Sequence, residues 1–332
     1  MLEHGGRLRA AAAHWGIPVG DWLDLSTGIA PNAYPVPAVA AESWRRLPED
    51  DDGLAAVAAA YYGNAALLPL PGSQAAIMAL PRLRPAGSVA VLAPSYGEYA
   101  AAWQANGHRV RRFAGDELEA VAASCAAVML GNPNNPTGAR FARDRLLAAA
   151  STLHGRGGWL IVDEAFADVD AAESLAALAG GAAAPNLVVL RSLGKFFGLA
   201  GARVGFAVAA PELLARLAEL IGPWAIAHPA RDAARAALAD TAWQAAQREH
   251  LHAAAARLTQ LLNAHGWGDT AGTALFRYRP TPRAPEIFAA LARRGILIRR
   301  FDAPPGLRIG LPGSEAEWAR LAAALHAIED KP

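Results

Sequence analysis

The chain has a single cysteine, Cys125, among 332 residues. One thiol can form neither an intrachain disulfide nor a four-cysteine zinc site, and its scarcity suits a reducing cytoplasm. An excess of either charge is also missing. The 31 Lys and Arg stand against 30 Asp and Glu, a formal net charge of +1, so bulk charge offers no broad basic face for nucleic acid. A membrane-spanning run is lacking too. The longest uncharged stretch, Gly53 to Pro81, is interrupted by Gly63, Asn64, Pro69, Pro71, Gly72 and Gln74, and a span needs about 20 mostly apolar residues. The opening Met1-Leu2-Glu3-His4-Gly5-Gly6 has no basic segment leading into an apolar block, so no secretory signal is expected. What is abundant is apolar: 53% hydrophobic against 18% charged residues excludes intrinsic disorder. A cytoplasmic globular chain of one large or two modest domains is expected.

Short apolar runs alternate with helical stretches along the first two thirds. Ser88–Ala93, Cys125–Leu130, Trp159–Val162, Leu187–Leu190 and Val204–Ala209 lack polar alternation, as strands covered on both faces do. Helices are expected over Gln74–Leu83, Tyr99–Asn106, Phe141–His154 and Ala171–Leu178. This alternation predicts an α/β domain with a mostly parallel sheet. The pattern changes near Gly222-Pro223. Beyond it come a long helix over Thr241–His265, in which Leu251, Leu258, Leu261 and Leu262 share a face, and short strands near Thr273–Arg279, Ile296–Phe301 and Leu307–Leu311. The expected division is a large α/β domain, 45–220, and a small α+β domain built from 1–44 and 221–332.

In sheets of this kind ligands bind beyond the carboxyl ends of the strands. Five loops there carry polar chemistry: Pro71-Gly72-Ser73-Gln74, Pro94-Ser95-Tyr96, Gly131 to Gly138, Asp163-Glu164-Ala165-Phe166, and Arg191 to Lys195 with Arg203 beyond. Each has an ordinary reading alone. Gly72-Ser73 is a helix cap, Tyr96 a rim aromatic, Asn-Pro-Thr-Gly a turn, Asp163-Glu164 a solvated strand end, and Lys195 and Arg203 surface charges. Their order at successive strand ends is what carries weight. Together they supply what pyridoxal phosphate needs. The aldehyde needs a lysine amine for a Schiff base. The ring nitrogen needs a carboxylate, since an adjacent opposite charge shifts a pKa by about 1–3 units. The phosphate needs helix-start amides, hydroxyls and an arginine. The ring needs an aromatic surface.

The chain resembles the fold-type I pyridoxal phosphate enzymes, the superfamily of aspartate and histidinol-phosphate aminotransferases. The resemblance rests on Asn132 to Gly138, on Asp163-Glu164-Ala165-Phe166, and on Ser192 to Gly205, and it extends over nearly the whole length. It implies a large domain with a mostly parallel seven-stranded sheet plus a small α+β domain, and a homodimer. It also implies roles. Lys195 carries the cofactor and moves protons, Asp163 pairs with the ring nitrogen, Asn135 bonds the phenolic oxygen, and Tyr96 stacks on the ring. Gly72, Ser73 and Gln74 hold the phosphate with Ser192 and Arg203. Arg308 grips the substrate carboxylate, a task that suits a bidentate guanidinium. No role implied by the resemblance needs a metal.

Two positions depart from the superfamily's pattern. Phe166 stands where many members have a tyrosine that bonds the phenolic oxygen, and Leu47 where many have a tyrosine reaching the phosphate across a dimer interface. The N-terminal His4-Gly5-Gly6, Trp22 to Asn32, Trp44 to Leu54 and the Phe166 replacement are similar to the branch that decarboxylates L-threonine O-3-phosphate in cobalamin biosynthesis. That similarity implies that His4 and the amides of Gly5 and Gly6 close over the substrate phosphate. The alternative is an aminotransferase for histidinol phosphate or a related phosphorylated amine, because the same residues serve both reactions. Other nucleotide chemistries fit poorly. No G-x-G-x-x-G follows the first strand, and a P-loop would need glycine at Val189 and Ser or Thr at Phe196.

Overall fold

The computed structural model describes residues 4–329. Its strands, in chain order, are β1 Leu23–Asp24, β2 Leu67–Leu70, β3 Ser88–Leu92, β4 Arg109–Phe113, β5 Ala127–Gly131, β6 Trp159–Asp163, β7 Leu187–Ser192, β8 Gly205–Val208, β9 Ala271–Thr273, β10 Phe276–Pro280, β11 Ile296–Leu297, β12 Arg299–Asp302 and β13 Pro305–Gly310. Contacts gather the chain into two compact units. Of the described residues, one comprises 33–135 and 140–244; the other comprises 4–32, 136–139 and 245–329.

The first unit is built on a seven-stranded sheet in the order β2-β8-β7-β6-β5-β3-β4. Neighbours from β4 through β7 pair in parallel, and β8 runs antiparallel to both β7 and β2. Every residue of β5 and β8 is buried, which is why these runs read as continuously apolar. Around them Leu70, Ile77, Trp103, Met129, Ile161 and Leu190 form one core. Each large apolar side chain buried there contributes roughly 1.5–3 kcal/mol.

Two expectations change here. Arg109-Val110-Arg111-Arg112-Phe113 forms the edge strand β4, with only Phe113 buried; its arginines hid it from an apolar search and blunt an otherwise open edge. No helix spans Ala171–Leu178. Two short 3₁₀ turns, Ala171–Glu173 and Ala176–Leu178, stand there, because Ser174 and Leu175 turn inward to bond Glu164.

The second unit holds an antiparallel sheet in the order β12-β13-β10-β9 and a parallel two-stranded pairing of β1 with β11. Trp22, Ala292 and Leu297 anchor a small cluster that takes in Leu8, Trp15 and Phe288. The long helix runs Thr241–Ala264, and Leu251, Leu258 and Leu262 on it are fully buried. Among the described residues, no helix is long and apolar enough to cross a membrane.

Candidate active site

In the first unit the carboxyl ends of β2, β3, β5, β6 and β7 carry the polar loops. After β2, Gly72 takes φ +80° and Ser73 opens the helix Ser73–Ala79. The Arg203 guanidinium lies against Gly72, so a Cβ there would stand 2.7 Å from its Nη2. Arg203 itself adopts φ +54°, a left-handed conformation unusual for a residue with a side chain. Gly205 is as restricted: a Cβ on it would stand 2.6 Å from the Ser73 amide nitrogen. These two glycines let β8 and Arg203 approach the start of the helix. Ser192, the last residue of β7, accepts from the Gly194 amide at 3.2 Å.

After β3, Tyr96 stands immediately before the helix Gly97–Ala105. Its hydroxyl donates to Gln74 Oε1 at 3.1 Å, and burial pushes its pKa up to about 12. After β5, Asn132 brackets the next loop, accepting from the Phe141 amide at 2.9 Å, and Asn134 donates to the Pro94 carbonyl at 2.9 Å. Asn135 is half-buried in the same loop.

The end of β6 carries the buried charge. Asp163 is 6% exposed. Its Oδ1 accepts from the Ala165 amide at 2.9 Å and its Oδ2 from the Tyr99 hydroxyl at 2.8 Å. Burial raises the Asp163 pKa, while Tyr99, Ala165 and the charge of Lys195 work to lower it. Glu164, one residue on, has different partners. It accepts from Leu175 N at 2.7 Å and from Arg191 Nη1 at 2.5 Å, and Arg191 Nη2 reaches Asp168 Oδ1 at 2.5 Å. Adjacent side chains at a strand end point to opposite faces, so one carboxylate serves the loops and the other holds the fold. Lys195 Nζ lies 5.4 Å from the centre of the buried Phe166 ring. Lys195 is one of two lysines in the sequence; the other, Lys331, lies outside the described residues.

This donor set fits pyridoxal phosphate. It offers one amine, a buried carboxylate with two of its acceptor positions already filled, an aromatic ring, and a glycine-lined helix start beside an arginine. Lys195 would carry the cofactor, Asp163 would face its ring nitrogen, and Gly72, Ser73, Gln74, Ser192 and Arg203 would hold its phosphate. Leu47 is 61% exposed. Of the two tyrosines that next follow it in sequence, Tyr61 donates to Asp168 at 3.1 Å and Tyr62 packs on Phe206.

In the second unit, Arg308 sits within β13 at 5% exposure. Its Nη2 donates to the Ser26 carbonyl at 2.6 Å, and its guanidinium lies 5.1 Å from the centre of the Phe276 ring. Ser26 also receives the Gly6 amide on its hydroxyl at 2.7 Å and donates to Asp24 at 2.6 Å. A Cβ on Gly5 would run into the Ser26 carbonyl. The segment Gly5-Gly6 and Arg308 are thus tied to one serine, while the His4 side chain is exposed.

Sequence reading missed Tyr99 and the Arg191 ion-pair cluster. For Tyr99 a signal existed: it lies three residues after Tyr96, on the same side of a helix start. For Arg191 there was none, since an arginine inside an apolar strand names no partner.

A family model described as aminotransferase class I and II matches residues 47–325. A threonine-phosphate decarboxylase of Pseudomonas aeruginosa is 54% identical over 325 residues, 98% of this chain and 97% of that one. A histidinol-phosphate aminotransferase of Aeromonas salmonicida is 32% identical over 212 residues, 62% of this chain and 58% of the other. Among solved structures, the histidinol-phosphate aminotransferase of Sinorhizobium meliloti in complex with pyridoxal-5'-phosphate superposes with a TM-score of 0.81 at 22% identity, covering 99% of this chain and 98% of that one. With the sheet order, the loops at its strand ends and a match over most of the sequence in agreement, this chain belongs to the class I and II aminotransferase family.

Proposed function

We propose that the chain decarboxylates L-threonine O-3-phosphate to (R)-1-amino-2-propanol O-2-phosphate and CO2, with pyridoxal phosphate as cofactor, as a step of cobalamin biosynthesis. The observation that carries this reading is the near full-length identity to the Pseudomonas decarboxylase, set against the partial match to an aminotransferase. The arrangement around Ser26 supports it, because one residue ties a glycine-rich segment suited to a phosphate to an arginine suited to a carboxylate.

When bound, the cofactor supplies an electron-poor conjugated ring that accepts an electron pair from Cα. The residues set the terms. Asp163, buried and held by two donors, keeps a proton on the ring nitrogen. Tyr96 would lie against the ring and Asn135 would bond its phenolic oxygen. Arg308 fixes the substrate carboxylate, and His4 with the amides of Gly5 and Gly6 takes the phosphate. When the carboxylate leaves as CO2, the pair of the broken bond would be used for a new C–H bond at Cα, and Lys195 Nζ, an ammonium once the substrate amine has taken its place, would deliver the proton. The ends by which the substrate is held decide which Cα bond breaks.

We take residues 45–220 as the cofactor-binding domain and the active form as a cytoplasmic homodimer. The exposed Trp44, Leu47 and Trp224 are large apolar side chains that a second copy would cover, and the lone Cys125 is buried. The test is incubation of the holoenzyme with threonine phosphate and no keto acid while CO2 is monitored. Stoichiometric CO2, with borohydride fixing the cofactor on the Lys195 peptide, is the expected result. Fast consumption of histidinol phosphate with 2-oxoglutarate, and no CO2 from threonine phosphate, would replace it with an aminotransferase.

A further inference from the structure

Asp163 is reached by a group from two strands away. The helix Gly97–Ala105 follows β3, and β5 lies between β3 and β6. The Tyr99 ring on that helix is 4% exposed, and its hydroxyl donates to Asp163 Oδ2 at 2.8 Å. Space for this crossing comes from Gly131, which pairs with Asp163 at the end of β5. A Cβ on Gly131 would stand 3.4 Å from the Tyr99 hydroxyl oxygen, so an alanine there would just touch the phenol and a side chain reaching past Cβ would press on it. Tyr96 and Tyr99 are three residues apart at the start of the helix, with ring centres 5.4 Å apart and planes at 85°. One short segment therefore carries the ring-facing aromatic and the carboxylate's partner.

We propose that Tyr99 is a positioning residue: it fixes the rotamer of Asp163 and fills one of its acceptor sites, so that the carboxylate stays ionised and aimed when the cofactor's ring nitrogen is protonated. Asp163 needs this help. It is buried and its neighbour Glu164 adds a like charge, while Tyr99, the Ala165 amide and Lys195 favour its ionised form. Tyr96, which caps the same helix, is also coupled to Asp163. Tyr99 is a dependable donor, because burial and Asp163 hold its phenol protonated well above the usual tyrosine range. This inference rests on the preceding reading only for the identity of the cofactor, and its test uses no substrate.

The test compares Tyr99→Phe with Tyr62→Phe. Tyr62 is also buried in this unit, and its ring lies 4.8 Å from the Arg191 guanidinium. Removing the Tyr99 hydroxyl withdraws a donor that lowers the Asp163 pKa, so the ring nitrogen is held less firmly in its protonated form. In the resting holoenzyme, the pKa read from the visible absorbance band should rise by about one unit. The dissociation constant of pyridoxal phosphate from the apoenzyme should increase roughly tenfold. Gly131→Val, whose methyls reach past Cβ toward the phenol, should move both readouts the same way by less, and it decides the matter if Tyr99→Phe does not fold. Tyr62→Phe should move neither. Unchanged values in Tyr99→Phe, or equal shifts in Tyr62→Phe, would overturn the proposal. Absence of CO2 from threonine phosphate in the wild type would instead strike the reaction, leaving this result untouched.

Discussion

Two buried arginines lie in strands of two different sheets, and their surroundings differ in sign. Arg191 in β7 is 1% exposed and Arg308 in β13 is 5% exposed. Burial works against the charge of both. At Arg191, Asp168 and Glu164 outweigh burial and hold its pKa well above the ordinary arginine value. At Arg308, burial and then the cross-strand neighbour Arg299 push the pKa down to about 10, with Asp24 only partly offsetting them. The first arginine has its counter-charges built into the chain. The second has a like charge, Arg299, across the strand pair and Asp24 as a weaker counter-charge. A buried charge neutralised by its own fold holds structure, whereas one placed beside a like charge is suited to a ligand.

Arg191→Met should give the largest effect on folding. It leaves Glu164 and Asp168 buried without their cation, at a cost of about 3–5 kcal/mol in the denaturant unfolding of the apoenzyme. A loss below about 1 kcal/mol, the range of exposed pairs, would erase the contrast.

The adjacent carboxylates should divide the same way. Asp163→Asn should lower turnover by about 10²–10³-fold with a small change in stability. Glu164→Gln should lower stability and leave the visible band of the resting holoenzyme in place. The reverse pattern would exchange their assignments.

Arg308→Ala should lower kcat/KM for threonine phosphate by about 10²-fold, the scale of a lost charged hydrogen bond. Its unfolding midpoint should move far less than that of Arg191→Met. If Arg308→Ala unfolds as easily as Arg191→Met, both arginines are structural.

The smallest effect concerns Asp52, which receives two hydrogen bonds from Arg231, at 2.7 and 2.8 Å. Burial raises its pKa, but Arg231 and the Leu54 amide more than offset this, leaving it below the unfolded value of 3.8. A carboxyl lowered in the folded state stabilises the fold above its unfolded pKa and loses that contribution as pH falls through the folded one. Thermal unfolding followed downward from about pH 4 should therefore steepen in the wild type and flatten in Asp52→Asn.

Much of the site was legible because its residues follow apolar strands. Gly72-Ser73, Tyr96, Asn135, Asp163 and Lys195 were found by asking what stands just beyond each run. Arg308 was legible only through resemblance, since it lies inside a strand. The edge strand β4 and the turns at 171–178 escaped, the first because an exposed strand need not be apolar, the second because its backbone is spent on Glu164. The scarcity of lysine was in plain view: with two in the whole chain, the amine had almost no competitor.

The sequence by itself determined the alternation of strands and helices, the loops at their ends and the place of Lys195 in one of them. Those are properties of residue type and order along the chain. Only the tertiary structure decided that Glu164 turns to Arg191 while Asp163 turns to Tyr99, and that Gly131 leaves room for that phenol. It also set Ser26 between Gly6 and Arg308, 282 residues apart from the latter in sequence. The reason is the short range of hydrogen bonds and packing: partners separated by tens or hundreds of residues are chosen by how strands register, and no local pattern encodes that choice.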